Sequence, residues 1–248
     1  MATDSFKPRD PELRGQIVVV IGGTAGIGLE TARRARAEGA NVILTGRDAE
    51  RLQIAARELG ALSTAAFDAT DPTLLERFFR DLPAIDHVMV TAGRPHYGRL
   101  VETAFEEARS ALDTSLMLTL QVARNAASKM KPGGTLLFMG GTGARRPGVG
   151  IGMASTVTAA LPALTANLAL ELAPVRVNLI AAGFVDTPLS ATLLGDQLES
   201  RRKQLRETLP IRRVVQPQDV AALAVHIMIN TALTGATYDV DGGQQLVR

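Results

Sequence analysis

Short apolar runs recur along the chain and predict parallel strands. The first is Ile17-Val18-Val19-Val20-Ile21, an unbroken run of β-branched residues. A run without polar alternation is typical of a strand buried on both faces, as in parallel sheets. The later predicted strands are residues 41–45, 63–67, 85–90, 135–139, 175–180 and 236–240. The apolar residues between these strands have helical spacing, so the chain is predicted to have an α/β fold. We expect a Rossmann-type, doubly wound, parallel seven-stranded sheet in three layers.

Two long helical segments interrupt the regular alternation. The pattern over residues 102–130 predicts a long helical segment with an apolar stripe. The stripe consists of Leu112, Leu116, Leu120 and Ala123. Residues 147–170 carry no charge, so we expect a helix buried by the sheet on one side and by another subunit on the other. Pro162 should remove one hydrogen bond from this second helix and kink it.

The remaining segments concern domain organisation. No linker or change in composition divides the chain, so residues 1–248 predict one domain. Residues 1–14 are polar and predict a flexible tail. Residues 189–210 form a long, irregular to helical segment, which suits a lid over a ligand site.

The turn after the first strand has the composition of a dinucleotide-binding turn. Its glycines follow the pattern G-x-x-x-G-x-G between a predicted strand and a predicted helix. Gly22 permits the tight turn, while Gly26 and Gly28 let backbone N–H groups approach a pyrophosphate at the helix N-terminus. The strand–turn–helix context distinguishes this motif from an ordinary βα turn. The residues predicted to contact the dinucleotide here are Gly22, Thr24, Ala25, Gly26, Ile27 and Gly28.

Arg47 follows the second strand, where the adenosine ribose of a dinucleotide lies. An acidic residue there would bind a free 2′-hydroxyl, whereas an arginine suits a 2′-phosphate. Arg47 therefore favours NADP over NAD, unless it is only a solvated loop residue. The adjacent Asp48 complicates this interpretation, although it also suits the N-cap of a helix over 49–58.

Two further strand ends carry predicted cofactor contacts. Asp68 follows the third strand and is predicted to accept a hydrogen bond from the adenine amino group, and the next residue, Ala69, is a further predicted contact. The alternative is that Asp68 is only a turn residue. Ala92 and Gly93 follow the fourth strand, where small side chains let a nicotinamide ribose approach the backbone. The ligand crevice is expected at the carboxyl ends of the first and fourth strands.

Composition narrows the function class. The 248 residues carry a net charge of only +2 without a basic tract, so nucleic acid is not an expected partner. There is no cysteine and the three histidines are scattered, so no metal site is predicted. No signal peptide or membrane span is recognised, and we expect a cytoplasmic protein.

Several motifs together resemble the short-chain dehydrogenase/reductase family over essentially the whole chain. Besides the glycine turn and Thr91-Ala92-Gly93, they are Leu170-Glu171-Leu172-Ala173-Pro174, Val175-Arg176-Val177-Asn178, Gly183-Phe184-Val185-Asp186-Thr187-Pro188 and Val240-Asp241-Gly242-Gly243. The resemblance implies NAD(P) binding, with Gly183, Val185 and Thr187 among the contacts and Thr187 near the nicotinamide carboxamide. It also implies a homo-oligomer, a dimer or tetramer.

The family's catalytic residues are replaced in this sequence. The resemblance implies an Asn, a Ser, and a Tyr followed four residues later by a Lys. In the same register this chain has Ser115, Gly141, Ala154 and Thr158. No catalytic residue is therefore carried over, because alanine has no proton to give and threonine cannot supply a cation.

Two functions remain open from the sequence. The first is an NADP-dependent oxidoreductase of carbonyls or alcohols with a rebuilt proton-transfer site. His96 or Tyr97 could then move the proton, and Arg145 or Arg146 could bind an anionic substrate. The alternative roles of these four residues are surface, specificity or intersubunit contacts. The second function is a non-catalytic, cofactor-binding sensor or scaffold subunit.

Overall fold

The computed structural model describes residues 12–247. Seven parallel strands form one sheet in the order β3-β2-β1-β4-β5-β6-β7. The strands are β1 (Ile17–Ile21), β2 (Asn41–Gly46), β3 (Ser63–Ala66), β4 (Ile85–Val90), β5 (Met130–Gly141), β6 (Arg176–Ala182) and β7 (Thr237–Val240). The order reverses between β1 and β4, which creates the expected crevice at their carboxyl ends. The predicted fold class is confirmed.

Nine α-helices occur among the described residues. They are α1 (Gly26–Ala37), α2 (Ala49–Leu59), α3 (Pro72–Asp81), α4 (Phe105–Leu112), α5 (Leu118–Ala126), α6 (Gly152–Glu171), α7 (Pro188–Leu194), α8 (Leu198–Thr208) and α9 (Pro217–Ile229). Helices α1, α2 and α9 pack on one face of the sheet, and α3, α5 and α6 pack on the other. This arrangement gives three layers.

Strand β1 shows why its residues had to be uniformly apolar. Successive side chains of a strand point to opposite faces. Val18 and Val20 therefore join the core beneath α1 and α9, whereas Val19 and Ile21 join the core beneath α3 and α5. All four are fully buried, so neither face of the central strand tolerates a polar side chain.

The predicted helical segment over 102–130 is present from Phe105 to Ala126, with an irregular turn in its middle. Residues Asp113–Met117 form a π-helical turn between α4 and α5, and the helical segment ends at Ala126. A π turn inserts an extra residue per turn, which rotates the following side chains. Leu120 is consequently 43% exposed, while Leu118 and Val122 take the buried positions.

Helix α6 begins at Gly152 rather than Pro147 and continues through Pro162. Its buried side chains are Val157, Leu161, Thr165 and Leu168. By length and composition α6 alone, among the described helices, could cross a membrane. One face of α6 packs on the sheet, and its opposite face is exposed, with Leu170 80% exposed.

The structure describes part of the predicted N-terminal tail and all of the predicted lid segment. Of the predicted tail, residues 1–11 lie outside the described part of the chain. Leu13 is fully buried and its amide donates to the Glu38 carbonyl at 2.9 Å, so residue 13 belongs to the packed fold. The segment 189–210 is helical, comprising most of α7 and all of α8, and Leu205 and Leu209 bury its inner face.

Candidate functional site

A cavity of about 890 Å³ opens at the carboxyl ends of β1, β4, β5 and β6. Most of the predicted dinucleotide contacts line it. They are Gly22, Ala25, Gly26, Ile27, Gly28, Ala92, Gly93, Gly183, Val185 and Thr187. Residues more than 160 positions apart in the sequence therefore lie together on one concave surface.

The N-terminus of α1 faces this cavity as an anion-binding surface. Ala25 at the N-cap contributes no side-chain hydrogen bond, and the first turn of α1 carries no acidic residue. The first amides of a helix lack intrahelical acceptors and lie at its positive end. Gly22 and Gly26 both have positive φ, +95° and +52°, so this turn fits a pyrophosphate.

Gly28 lines the cavity and also has a packing role. A Cβ atom there would lie 2.3 Å from the Gly22 carbonyl oxygen and 2.5 Å from Thr91 Oγ1. Glycine is therefore required for packing of α1 against the strand ends. Thr91 completes this contact by donating to the carbonyls of Ile21 and Gly22.

Gly93 likewise makes room for protein rather than only for ligand. Its φ is +112°, and a Cβ atom would approach the Thr114 carbonyl oxygen to 2.7 Å. Thr114 belongs to the π-helical turn, which also carries Ser115 to the cavity wall. The sequence pattern contained no signal for this turn, because an apolar stripe of period 3.6 was still visible across it.

Four of the predicted contacts lie outside the cavity lining. Thr24 packs its methyl group over Gly46 at the end of β2. Arg47 is exposed. Asp68 accepts hydrogen bonds from the Thr70 amide and hydroxyl, and these bonds hold the pKa of Asp68 below its usual range. The side chain of Ala69 is buried in the core, which leaves only its backbone for a ligand contact.

Asp48 is the N-cap of α2 and accepts from the Arg51 amide at 3.0 Å. This cap agrees with the simpler of its two sequence interpretations. The Asp48 carboxylate is thus committed to the helix, and the adjacent Arg47 is exposed just after β2.

Ser115, Gly141, Ala154 and Thr158, the four positions that the resemblance aligns with catalytic residues, all line the cavity. Ala154 and Thr158 lie one helical turn apart on α6, and a Cβ atom on Gly141 would contact the Thr158 methyl group at 3.3 Å. The Thr158 hydroxyl accepts from the Ala144 amide and donates to the Ala154 carbonyl, both at 2.9 Å. This hydroxyl is committed to the backbone.

His96 and Tyr97 lie next to each other in the cavity wall. His96 lies 4.0 Å from a carboxylate oxygen of Glu107. Desolvation raises the pKa of Tyr97, and the nearby Arg201 opposes this shift. Tyr97 is thus a protonated phenol at neutral pH.

The opposite side of the cavity comes from β6, α7 and α8. Thr187 caps α7 by accepting from the Ser190 amide at 3.1 Å, and its methyl group faces Gly26 across the crevice. Arg202 on α8 makes an ion pair with Asp186 at 2.6 Å. The hydrogen bond that Arg202 donates to the Asp186 carboxylate raises the pKa of Arg202. Helices α7 and α8 are therefore tied to the end of β6.

Within residues 12–247, no group of three or more His, Asp or Glu side chains is arranged to hold a metal ion. Arg145, proposed from the sequence as an anion ligand, instead pairs with Asp239 and donates to Gln245. Arg146 does line the cavity.

Comparison with known proteins agrees with this architecture. The family model described as enoyl-(acyl carrier protein) reductase matches residues 22–245. Dehydrogenase/reductase SDR family member 4 of Sus scrofa is 30% identical, over 98% of this chain and 91% of that protein. A small-chain dehydrogenase solved in complex with NADPH has a TM-score of 0.82 at 29% identity, covering 94% of this chain and 99% of that chain. MalC reductase/Diels-Alderase from Malbranchea aurantiaca has a TM-score of 0.88 at 25% identity, covering 96% and 99%. The chain belongs to the short-chain dehydrogenase/reductase family of oxidoreductases.

Proposed function

We propose that this protein binds NADP(H) and transfers hydride to or from a carbonyl or alcohol substrate, using an atypical proton donor. The observation that carries the proposal is the continuous cavity from the glycine turn of α1 to positions 154 and 158 of α6. At about 890 Å³, it lies at the upper end of the range of small-molecule sites. The bound dinucleotide would supply the hydride, and the protein would orient the reactants.

The preference for the phosphorylated cofactor is supported by Arg47. Its neighbour Asp48 is occupied as the cap of α2, so Arg47 is the group at the end of β2 that suits a 2′-phosphate. The NADPH complex of the similar small-chain dehydrogenase agrees with this assignment.

The proton would come from Tyr97 or His96, which both line the cavity. A well-placed general acid contributes about 10²–10⁴-fold to the rate. The raised pKa of Tyr97 makes its phenol a weaker acid than a tyrosine activated by a neighbouring lysine. We therefore expect slow turnover compared with relatives that carry the family's Tyr and Lys.

A non-catalytic sensor or scaffold subunit is the second candidate. It is favoured by one observation: the Thr158 hydroxyl is bound to the backbone of residues 144 and 154, and Ala154 has no polar atom beyond its backbone. Such a protein would bind the cofactor in the same cleft without a reaction.

Parallel titration of the purified protein with NADPH and NADH tests the cofactor. We expect NADPH to bind more tightly, and Arg47→Gln to weaken NADPH by about tenfold through loss of a charge-assisted hydrogen bond. The affinity for NADH should not change. Arg57→Gln, an exposed arginine of α2, is the matched control. Equal loss in both variants would refute the role of Arg47, and binding of neither nucleotide would refute the proposal.

Single-turnover oxidation of bound NADPH separates the two candidates. An enzyme should oxidise NADPH when an aldehyde panel is added, and Tyr97→Phe or His96→Gln should slow this step. The variant Ala154→Tyr with Thr158→Lys should accelerate it. If NADPH binds and only the double variant oxidises it, the sensor interpretation prevails. If the double variant binds NADPH but gains no activity, the proposed alignment of positions 154 and 158, or the pocket, is wrong.

Self-association and location belong to the same proposal. A homo-oligomer is supported by the exposed apolar face of α6. A cytoplasmic location remains a prediction, which cell fractionation can test.

A further inference from the structure

The charged side chains of the cavity wall are all arginines. Arg94, Arg146 and Arg201 line it, and no Asp or Glu is among the lining residues. Arg146 lies on the segment after β5, and Arg201 lies on α8. A cavity with charges of one sign and apolar walls concentrates the field of those charges on a bound molecule.

In each of two pairs of adjacent arginines, Arg145–Arg146 and Arg201–Arg202, only one member makes an ion pair with a described residue. Arg145 pairs with Asp239, and Arg202 pairs with Asp186 and Glu199. Their neighbours Arg146 and Arg201 have no carboxylate within ion-pair distance in the part of the chain that the structure describes. One arginine of each pair is therefore neutralised by the fold, and the other faces the cavity.

Contacts with neighbouring side chains hold the guanidinium of Arg201 in place. Its guanidinium lies 5.9 Å from the centre of the Phe184 ring, and Nη1 donates to Gln204 at 2.7 Å. Burial lowers the pKa of Arg201, and the positive charge of Arg146 lowers it further. Two partly buried cations that repel each other are stabilised by a shared anion.

We propose that Arg146 and Arg201 bind a carboxylate group of the second molecule in the cavity, so that the substrate is an anionic carbonyl or alcohol compound. Guanidinium groups present paired donors that match a carboxylate. Phe184, Leu189 and Leu193 line the same cavity and would contact an apolar body. This inference rests on the proposed function, since it assigns the substrate of the same site.

Octanoate and its neutral analogue octanamide are the probes for this site. Calorimetric titration into the NADPH-bound protein should show octanoate binding about tenfold more tightly, as a charge-assisted contact requires. Arg146→Gln and Arg201→Gln should each remove most of this difference and leave octanamide unchanged. Arg206→Gln, an exposed arginine on the same helix, should retain it. Equal binding of the two probes, or equal effects of all three variants, would overturn the proposal.

Measurements of NADPH affinity on the same samples separate the two proposals. If NADPH binds but octanoate is not preferred, only the anion site is wrong. If NADPH fails to bind while the ligand-free protein still prefers octanoate through both arginines, only the proposed cofactor function is wrong. If Arg201→Gln weakens NADPH as much as octanoate, the arginines serve the dinucleotide and the substrate assignment is overturned. Thermal unfolding of each variant verifies that it is folded.

Discussion

His87 on β4 shows how burial changes the chemistry of one residue. Its side chain is buried, and Nε2 lies 2.6 Å from the Gln16 side-chain oxygen. Desolvation, with the positive charge of Arg176, lowers the pKa of His87 to about 4, and Asp86 only partly opposes them. The scattered position of this histidine in the sequence excluded a metal site, but it did not indicate that the ring is neutral and buried.

We predict that His87 makes the protein less stable as pH falls. Between pH 6.5 and about 4 the unfolded chain binds a proton at this residue and the folded chain does not. The free energy of unfolding therefore falls on acidification, by about 3 kcal/mol over that interval. Urea unfolding at several pH values should give a shallower pH dependence for His87→Leu than for the natural protein. Parallel curves would contradict the assignment.

At the scale of elements, Arg176 joins the end of α9 to the sheet. Its guanidinium donates to the carbonyls of Ile227, Met228, Asn230 and Leu233, and Nε donates to Gly133. A cation at a helix C-terminus is favoured by the carbonyls exposed there. Helix α9 in turn packs on α1, which carries the glycine turn. The sequence places Arg176 only in a family motif, without indicating this function.

Replacement of Arg176 by methionine should destabilise the whole domain. Five carbonyl acceptors would lose a charged donor in a buried place, so we expect a loss of about 3 kcal/mol or more. Arg124→Met, on the exposed side of α5, should change stability by less than about 0.5 kcal/mol. Urea unfolding of both variants measures the difference. Similar midpoints for the two variants would show that the Arg176 contacts contribute little.

For the whole molecule, the unpaired face of α6 predicts self-association. Leu170 is 80% exposed on a helix without charge over residues 152–170. An apolar face of this kind is favoured at a subunit interface. Sedimentation should show a dimer or tetramer that Leu170→Glu shifts towards monomer. Leu62→Glu, which changes a leucine that is 55% exposed before β3, should leave the oligomer intact. A stable monomer of the natural protein would refute this prediction.

Much of the fold was predictable because it depends on neighbouring residues. The uniform apolar character of Ile17–Ile21, the glycine spacing and the cap at Asp48 are local signals, and the strands and turns they predict are present. The π turn at Asp113–Met117, within the predicted helical segment over 102–130, was not predicted because it is a tertiary adjustment. It fits the Thr114 carbonyl against Gly93, a contact between distant segments.

The sequence by itself determined the sheet and the family, because residue identity and spacing are sufficient for both. Only the tertiary structure decided what the remaining polar groups do. Neither arginine pair reveals in sequence which member faces a carboxylate, since Asp239 is 94 residues from Arg145 and Asp186 is 16 residues from Arg202. The surface formed by Arg146 and Arg201 exists because folding neutralises one member of each pair and brings the other to a shared cavity.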